Sequence, residues 1–97
     1  MTVFPDKIEE YIRRHNPIWR DMEVMLKMNG VRNYSIFLDE KNHDLIGYAE
    51  VESAGHWEGI AQTEICKKWW DSMSELMETN SDNSPVSVDL REIFHLE

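Results

Sequence analysis

One cysteine, three prolines, four glycines and no extended apolar run mark what this 97-residue chain has little of. The lone Cys66 excludes an intrachain disulfide and leaves no CxxC pair for metal or redox chemistry. No stretch approaches the roughly 20 consecutive apolar residues that span a bilayer. No charged-then-apolar leader follows Met1, so the expectation is a cytoplasmic protein in a reducing compartment. Basic residues are scarce too: ten Lys and Arg against nineteen Asp and Glu give a net charge of −9, which repels phosphate backbones and anionic membrane surfaces. Neither nucleic acid nor a membrane is an expected partner. GxGxxG, GxxxxGK[ST] and GxSxG are missing, so nothing argues for a nucleotide or a serine nucleophile. His15, His43, His56 and His95 stand far apart without HxxxH spacing, and no metal site is expected.

What remains is 41% apolar and 10% aromatic, the composition of a globular chain, and its length suits a single domain over residues 1–97. Thr2 to Phe4 can form a short strand before Pro5 and Asp6 start a helix. Ile8, Tyr11, Ile12 and His15 fall at i, i+3, i+4 and i+7, one face of that helix, which Pro17 must end near Asn16. Asn16 and Pro17 suit the N-cap and first turn of a second helix, with Ile18, Met22, Met25 and Leu26 inward and Asn29-Gly30 as its stop. From Val31 to Leu38 the period changes to 2, with Tyr34, Ile36 and Leu38 on one face, and Leu45 to Val51 is the second arm of a hairpin. Ser53 predicts a short helix through Trp57 and Ile60; Thr63 predicts a longer one running to about Met77. After the turn formers of 80–85, the alternation of Val86 to Leu90 predicts a final strand.

The order is that of an α+β, ferredoxin-like split β-α-β sandwich, with helices on one face of an antiparallel sheet. The other face needs cover, and the simplest cover is a second copy: a symmetric homodimer with its sheets face to face, a dimeric α/β barrel.

The chemistry concentrates at Tyr11-Ile12-Arg13-Arg14-His15-Asn16-Pro17-Ile18-Trp19, where a titratable group, aromatic rings and a helix break meet. The helix dipole favours a charged His15, whereas Arg13, Arg14 and burial oppose it, which leaves its pKa near roughly 6.5 on balance. A core or capping role for His15 fits the spacing as well as a proton-transfer role does. Tyr11, Tyr34, Trp69 and Trp70 offer the apolar faces and polar edges that a sugar needs, although aromatics at helical spacing are more often core.

That nine-residue stretch, followed by Asn33-Tyr34, Trp69-Trp70 and Asp82-Asn83-Ser84-Pro85-Val86-Ser87, resembles the L-rhamnose mutarotase family in order and spacing over nearly the whole chain. The resemblance implies a cofactor-independent, homodimeric, cytoplasmic enzyme interconverting the α and β anomers of L-rhamnose. It implies His15 as proton donor and Tyr11, Tyr34, Trp69 and Trp70 as sugar-binding residues. The competing expectation is a non-catalytic dimeric sugar-binding or interaction domain of the same fold, since fold does not determine activity. A dimeric-barrel oxygenase is a third, with no motif in its favour.

Overall fold

The computed structural model describes all residues, 1–97. After a 3-10 turn at Pro5–Lys7, α1 spans Ile8–Arg14 and α2 Arg20–Met28; β1 (Arg32–Asp39) and β2 (Asp44–Glu50) follow, then α3 (Ala54–Ile60) and α4 (Glu64–Met73). The architecture is α+β: four helices with a two-stranded antiparallel sheet.

Local chemistry accounts for most boundaries. Ser53 Oγ accepts the His56 N–H at 3.1 Å and Thr63 Oγ1 accepts the Cys66 N–H at 3.3 Å, so both expected caps start α3 and α4. α2 stops where expected, with Gly30 at φ 77°, a left-handed position that glycine enters without a steric cost. Two helix boundaries differ from expectation by three residues or more. α2 begins at Arg20 rather than at Pro17, because Asn16 turns its Nδ2 back onto the Ile12 carbonyl at 2.8 Å and so closes α1 instead of opening α2. The Asn16–Pro17 peptide is cis. α4 ends at Met73, short of Met77, because the next residues leave the helix to meet the N-terminal segment.

That meeting explains the largest correction. Thr2 bridges Asp44 and Val3 bridges Met77, both antiparallel. Leu45 N–H donates to the Met1 carbonyl at 2.6 Å, Phe4 N–H to Leu76 and Glu78 N–H to Thr2 at 3.0 Å. Across the sheet the neighbours therefore run β1, β2, residues 1–3, residues 77–78, with the outer two positions reduced to single bridges. The final strand expected at Val86–Leu90 is not a strand in this chain: beyond the Thr79–Pro85 bridge it joins no ladder, because Met77 and Glu78 already hold the edge beside Val3.

The core lies between the helices and one sheet face. Val3 and Leu76 are its most completely buried side chains, with Met22, Leu45, Ile60, Cys66 and Met73 around them and Ile36, Leu38 and Ala49 packed against them from the sheet. Strand alternation puts Phe37, Ile46 and Tyr48 on the opposite face, where they are exposed.

Candidate active site

Tyr11 sits on the buried side of α1, and His15 follows one turn later as the residue that ends it. Their rings stack with centroids 4.3 Å apart. His15 also meets Trp69 of α4 edge-on at 5.1 Å, and Trp19 meets the same indole at 5.0 Å from its other neighbour. Trp19 thus supports Trp69 by packing.

His15 Nδ1 lies 2.8 Å from the Tyr11 carbonyl oxygen. A carbonyl can only accept, so Nδ1 carries the proton and Nε2 is the nitrogen left for an external partner. Burial pushes the His15 pKa below its usual 6.5, outweighing the carbonyl bond that favours the cation. The opposing influence expected of Arg13 and Arg14 is muted, since both guanidiniums are engaged by Glu10, and Arg14 also by Glu75.

Tyr34 reaches the same place from the sheet. Between Arg32 and Ser35 the register slips, giving β1 one extra residue against β2, and Asn33 takes a left-handed φ of 50°. Such a bulge re-aims the neighbouring side chains. Burial raises the Tyr34 phenol above its usual 10, and it raises Tyr11 further still, with nearby Tyr34 adding to the effect. Both hydroxyls therefore stay protonated at neutral pH and are available as hydrogen-bond donors. Cys66 is buried and its thiol is pushed up to about 11, as suits a packed side chain rather than a nucleophile.

All five residues singled out from the sequence, Tyr11, His15, Tyr34, Trp69 and Trp70, line one cavity of about 1040 Å³. Trp69 is buried while Trp70, its neighbour on α4, is only partly so; the pair presents different sides, as adjacent helical residues must. Sequence reasoning missed one wall: Trp57 of α3, one turn before buried Ile60, has its ring 6.1 Å from that of Tyr34 and lines the same cavity. Only its three-residue spacing from Ile60 hinted at an inward side.

The expected 80–85 turn closes over α4. Asn83 Nδ2 donates to Asp71 Oδ1 at 3.1 Å, and Asp82 Oδ1 accepts the Ser84 N–H at 3.0 Å. No group of three or more His, Cys, Asp or Glu stands close enough to hold a metal ion.

No lysine or arginine lines the cavity, so an anionic substrate would find no counter-charge there. Aromatic faces with hydroxyl and imidazole edges suit a neutral polyol instead. The class so defined is a carbohydrate-directed acid/base domain. The family model described as L-rhamnose mutarotase matches residues 1–96, and the chain belongs to that family. It is 54% identical to the L-rhamnose mutarotase of Pectobacterium carotovorum subsp. carotovorum (strain PC1) over 97 residues, covering 100% of this chain and 93% of the relative. The L-rhamnose mutarotase of Oceanobacillus iheyensis is 53% identical with the same coverage. Among solved structures, L-rhamnose mutarotase FA22100 from Formosa agariphila superposes with a TM-score of 0.91 at 40% identity, covering 100% of this chain and 93% of that one.

Proposed function

We propose that this protein interconverts the α and β anomers of L-rhamnose without a cofactor, by acid/base opening and closure of the pyranose ring. The observation that carries the reading is the bond from His15 Nδ1 to the Tyr11 carbonyl, which leaves a basic Nε2 beside aromatic walls. Family membership supports the substrate, and the competing non-catalytic binding domain is not favoured by it.

In ring opening, Nε2 takes the proton of the anomeric hydroxyl as the C1–O5 electron pair withdraws onto O5. O5 takes a proton from a donor on its own side, the Tyr34 or Tyr11 hydroxyl or a water, and C1 becomes an aldehyde carbon. Rotation about C1–C2 exposes its other face. Closure runs the steps backwards: O5 adds to C1 and returns its proton, while the His15 imidazolium donates to the former carbonyl oxygen. The residue implied as proton donor is thus base in one half and donor in the other, as microscopic reversibility requires. Trp69 and Trp70 hold the sugar's C–H faces.

The same reading makes the protein a homodimer of ferredoxin-like subunits closed into an α/β barrel. Phe37, Ile46 and Tyr48 are exposed on the sheet face away from the helices, and the arm beyond residue 85 exposes Leu90, Ile93, Phe94 and Leu96. A second copy would cover both. A cytoplasmic location goes with this reading and suits the free thiol of Cys66.

Polarimetry or saturation-transfer NMR on freshly dissolved α-L-rhamnose tests the reaction. Wild type should speed equilibration well beyond buffer, and His15→Ala should lower the enzymatic rate by about 10² to 10⁴. An undiminished rate in His15→Ala would remove His15 from the mechanism.

A further inference from the structure

α1 has only seven residues, and its N-cap Lys7 makes no side-chain capping bond. A helix this short is marginal by itself, so the residue that ends it, His15, depends on tertiary contacts for its place. Arg14 makes three bonds, two of them tertiary. Its Nε donates to Glu10 Oε2 at 2.7 Å within α1; one terminal amino group donates to the Ser72 carbonyl oxygen of α4, and the other to Glu75 Oε1 at 2.7 Å. Ser72 belongs to the turn that carries the aromatic wall, because its hydroxyl donates to the Trp69 carbonyl at 2.7 Å. One guanidinium therefore joins the end of α1 to the stretch of α4 whose indole meets His15.

We infer that Arg14 is a positioning residue for the anomerisation: it clamps α1 to α4 so that His15 keeps its place against Trp69. The inference rests on the reading of His15 as the proton-transfer group. A planar fork with five donors can serve three acceptors at once, whereas a lysine ammonium in the same place cannot reach all of them in fixed geometry. The side chain is 25% exposed, against 72% for Arg13, which also bonds Glu10 but makes no hydrogen bond or ion pair to α4. Arg13 is thus a built-in control, because its pair with Glu10 lies within α1 and ties nothing to α4.

The test compares wild type with Arg13→Met, Arg14→Met, Arg14→Lys and Glu75→Ala, reading kcat and KM for L-rhamnose and the NMR shifts of the His15 ring protons. Those shifts report the ring currents of Tyr11 and Trp69 whether or not turnover occurs. Displacing a catalytic group by about 1 Å can cost 10²-fold. Arg14→Met should therefore lower kcat by about 10- to 100-fold with KM changed less than about threefold, and move the His15 shifts. Arg14→Lys should recover part of the loss; Glu75→Ala, which removes one arm of the clamp at an exposed site, should show a smaller loss in the same direction. Arg13→Met should match wild type. A folded Arg14→Met with wild-type kcat and His15 shifts overturns the clamp, as does an equal loss in Arg13→Met. If Arg14→Met fails to fold, Glu75→Ala decides, and unchanged kcat and shifts there overturn it. Should His15→Ala keep the full rate, the site assignment fails, and the His15 shifts alone then decide for or against the clamp.

Discussion

Tyr11 and His15 touch twice: their rings stack at 4.3 Å, and the Tyr11 carbonyl oxygen takes the His15 Nδ1 proton at 2.8 Å. The stack sets the plane of the imidazole and the hydrogen bond sets its tautomer. Because the side chain bonds to the backbone of its own helix one turn back, the device needs only the i, i+4 spacing and a helix that ends at His15.

The pH dependence follows from its burial. His15 titrates below its usual 6.5, so its neutral, basic form dominates at neutral pH. Enzymatic kcat/KM, corrected for the buffer rate, should be flat above about pH 6.5 and fall with a slope of one as pH drops through the lower folded value. Stability has the same sign. The unfolded chain takes up a proton near about pH 6.5 that the folded state accepts only at lower pH, so the His15 contribution is complete above about 6.5 and lost as pH falls through the folded value. Denaturation of wild type and His15→Asn across this range should show the difference between them shrinking toward acid.

Trp57 stands 6.1 Å from Tyr34 at 41% exposure, an aromatic face on the cavity that packing does not fully use. Trp57→Leu should raise KM by about two- to tenfold, the worth of an aromatic contact beyond its area, with kcat little changed, and Trp57→Phe should lie between. Steady-state polarimetry over a range of sugar concentrations checks this; a Trp57→Leu protein with wild-type KM would make the residue simple packing.

The outer sheet face offers a direct test of assembly. Phe37 and Ile46 are cross-strand partners there, exposed in the single chain. Replacing Phe37 by Glu would bury an unpaired charge in the proposed face-to-face contact, so sedimentation should change from dimer to monomer. A wild-type protein that sediments as a monomer at every concentration would refute the dimer outright.

Asn33 holds a left-handed φ of 50° at the extra residue of β1. Asn33→Gly should be nearly neutral, whereas Asn33→Val forces a β-branched residue into that region at a cost of roughly 1 to 3 kcal/mol. For a domain of this size that corresponds to a fall in Tm of about 4 to 8 °C per kcal/mol. Tyr34 follows directly, so Asn33→Val should also lower kcat/KM; a variant with unchanged Tm would show that β1 accommodates its extra residue another way.

Much of this molecule is written locally. The caps at Ser53 and Thr63, the stop at Gly30, the period change at β1 and the Tyr11–His15 face each depend on residues within one or two turns, and these were legible because short-range hydrogen bonding decides them. The ordered run from Tyr11 through Trp69-Trp70 to the 82–87 loop carried the family as well. Contacts between distant segments decided the rest. Met77 rather than Val86–Leu90 took the edge beside Val3, because an edge strand accepts one partner and the chain leaving α4 reaches it first. Asn16 closed α1 instead of opening α2, its Nδ2 donating to the Ile12 carbonyl. Trp57 reached Tyr34, and Arg14 reached Ser72 and Glu75, only once α3 and α4 had packed on the sheet and on α1. Sequence by itself thus determined which side chains share a face at the end of α1 and which turns present them. Tertiary structure decided their distances, their burial and hence the protonation of His15, because desolvation and long-range hydrogen bonds arise only when the elements meet.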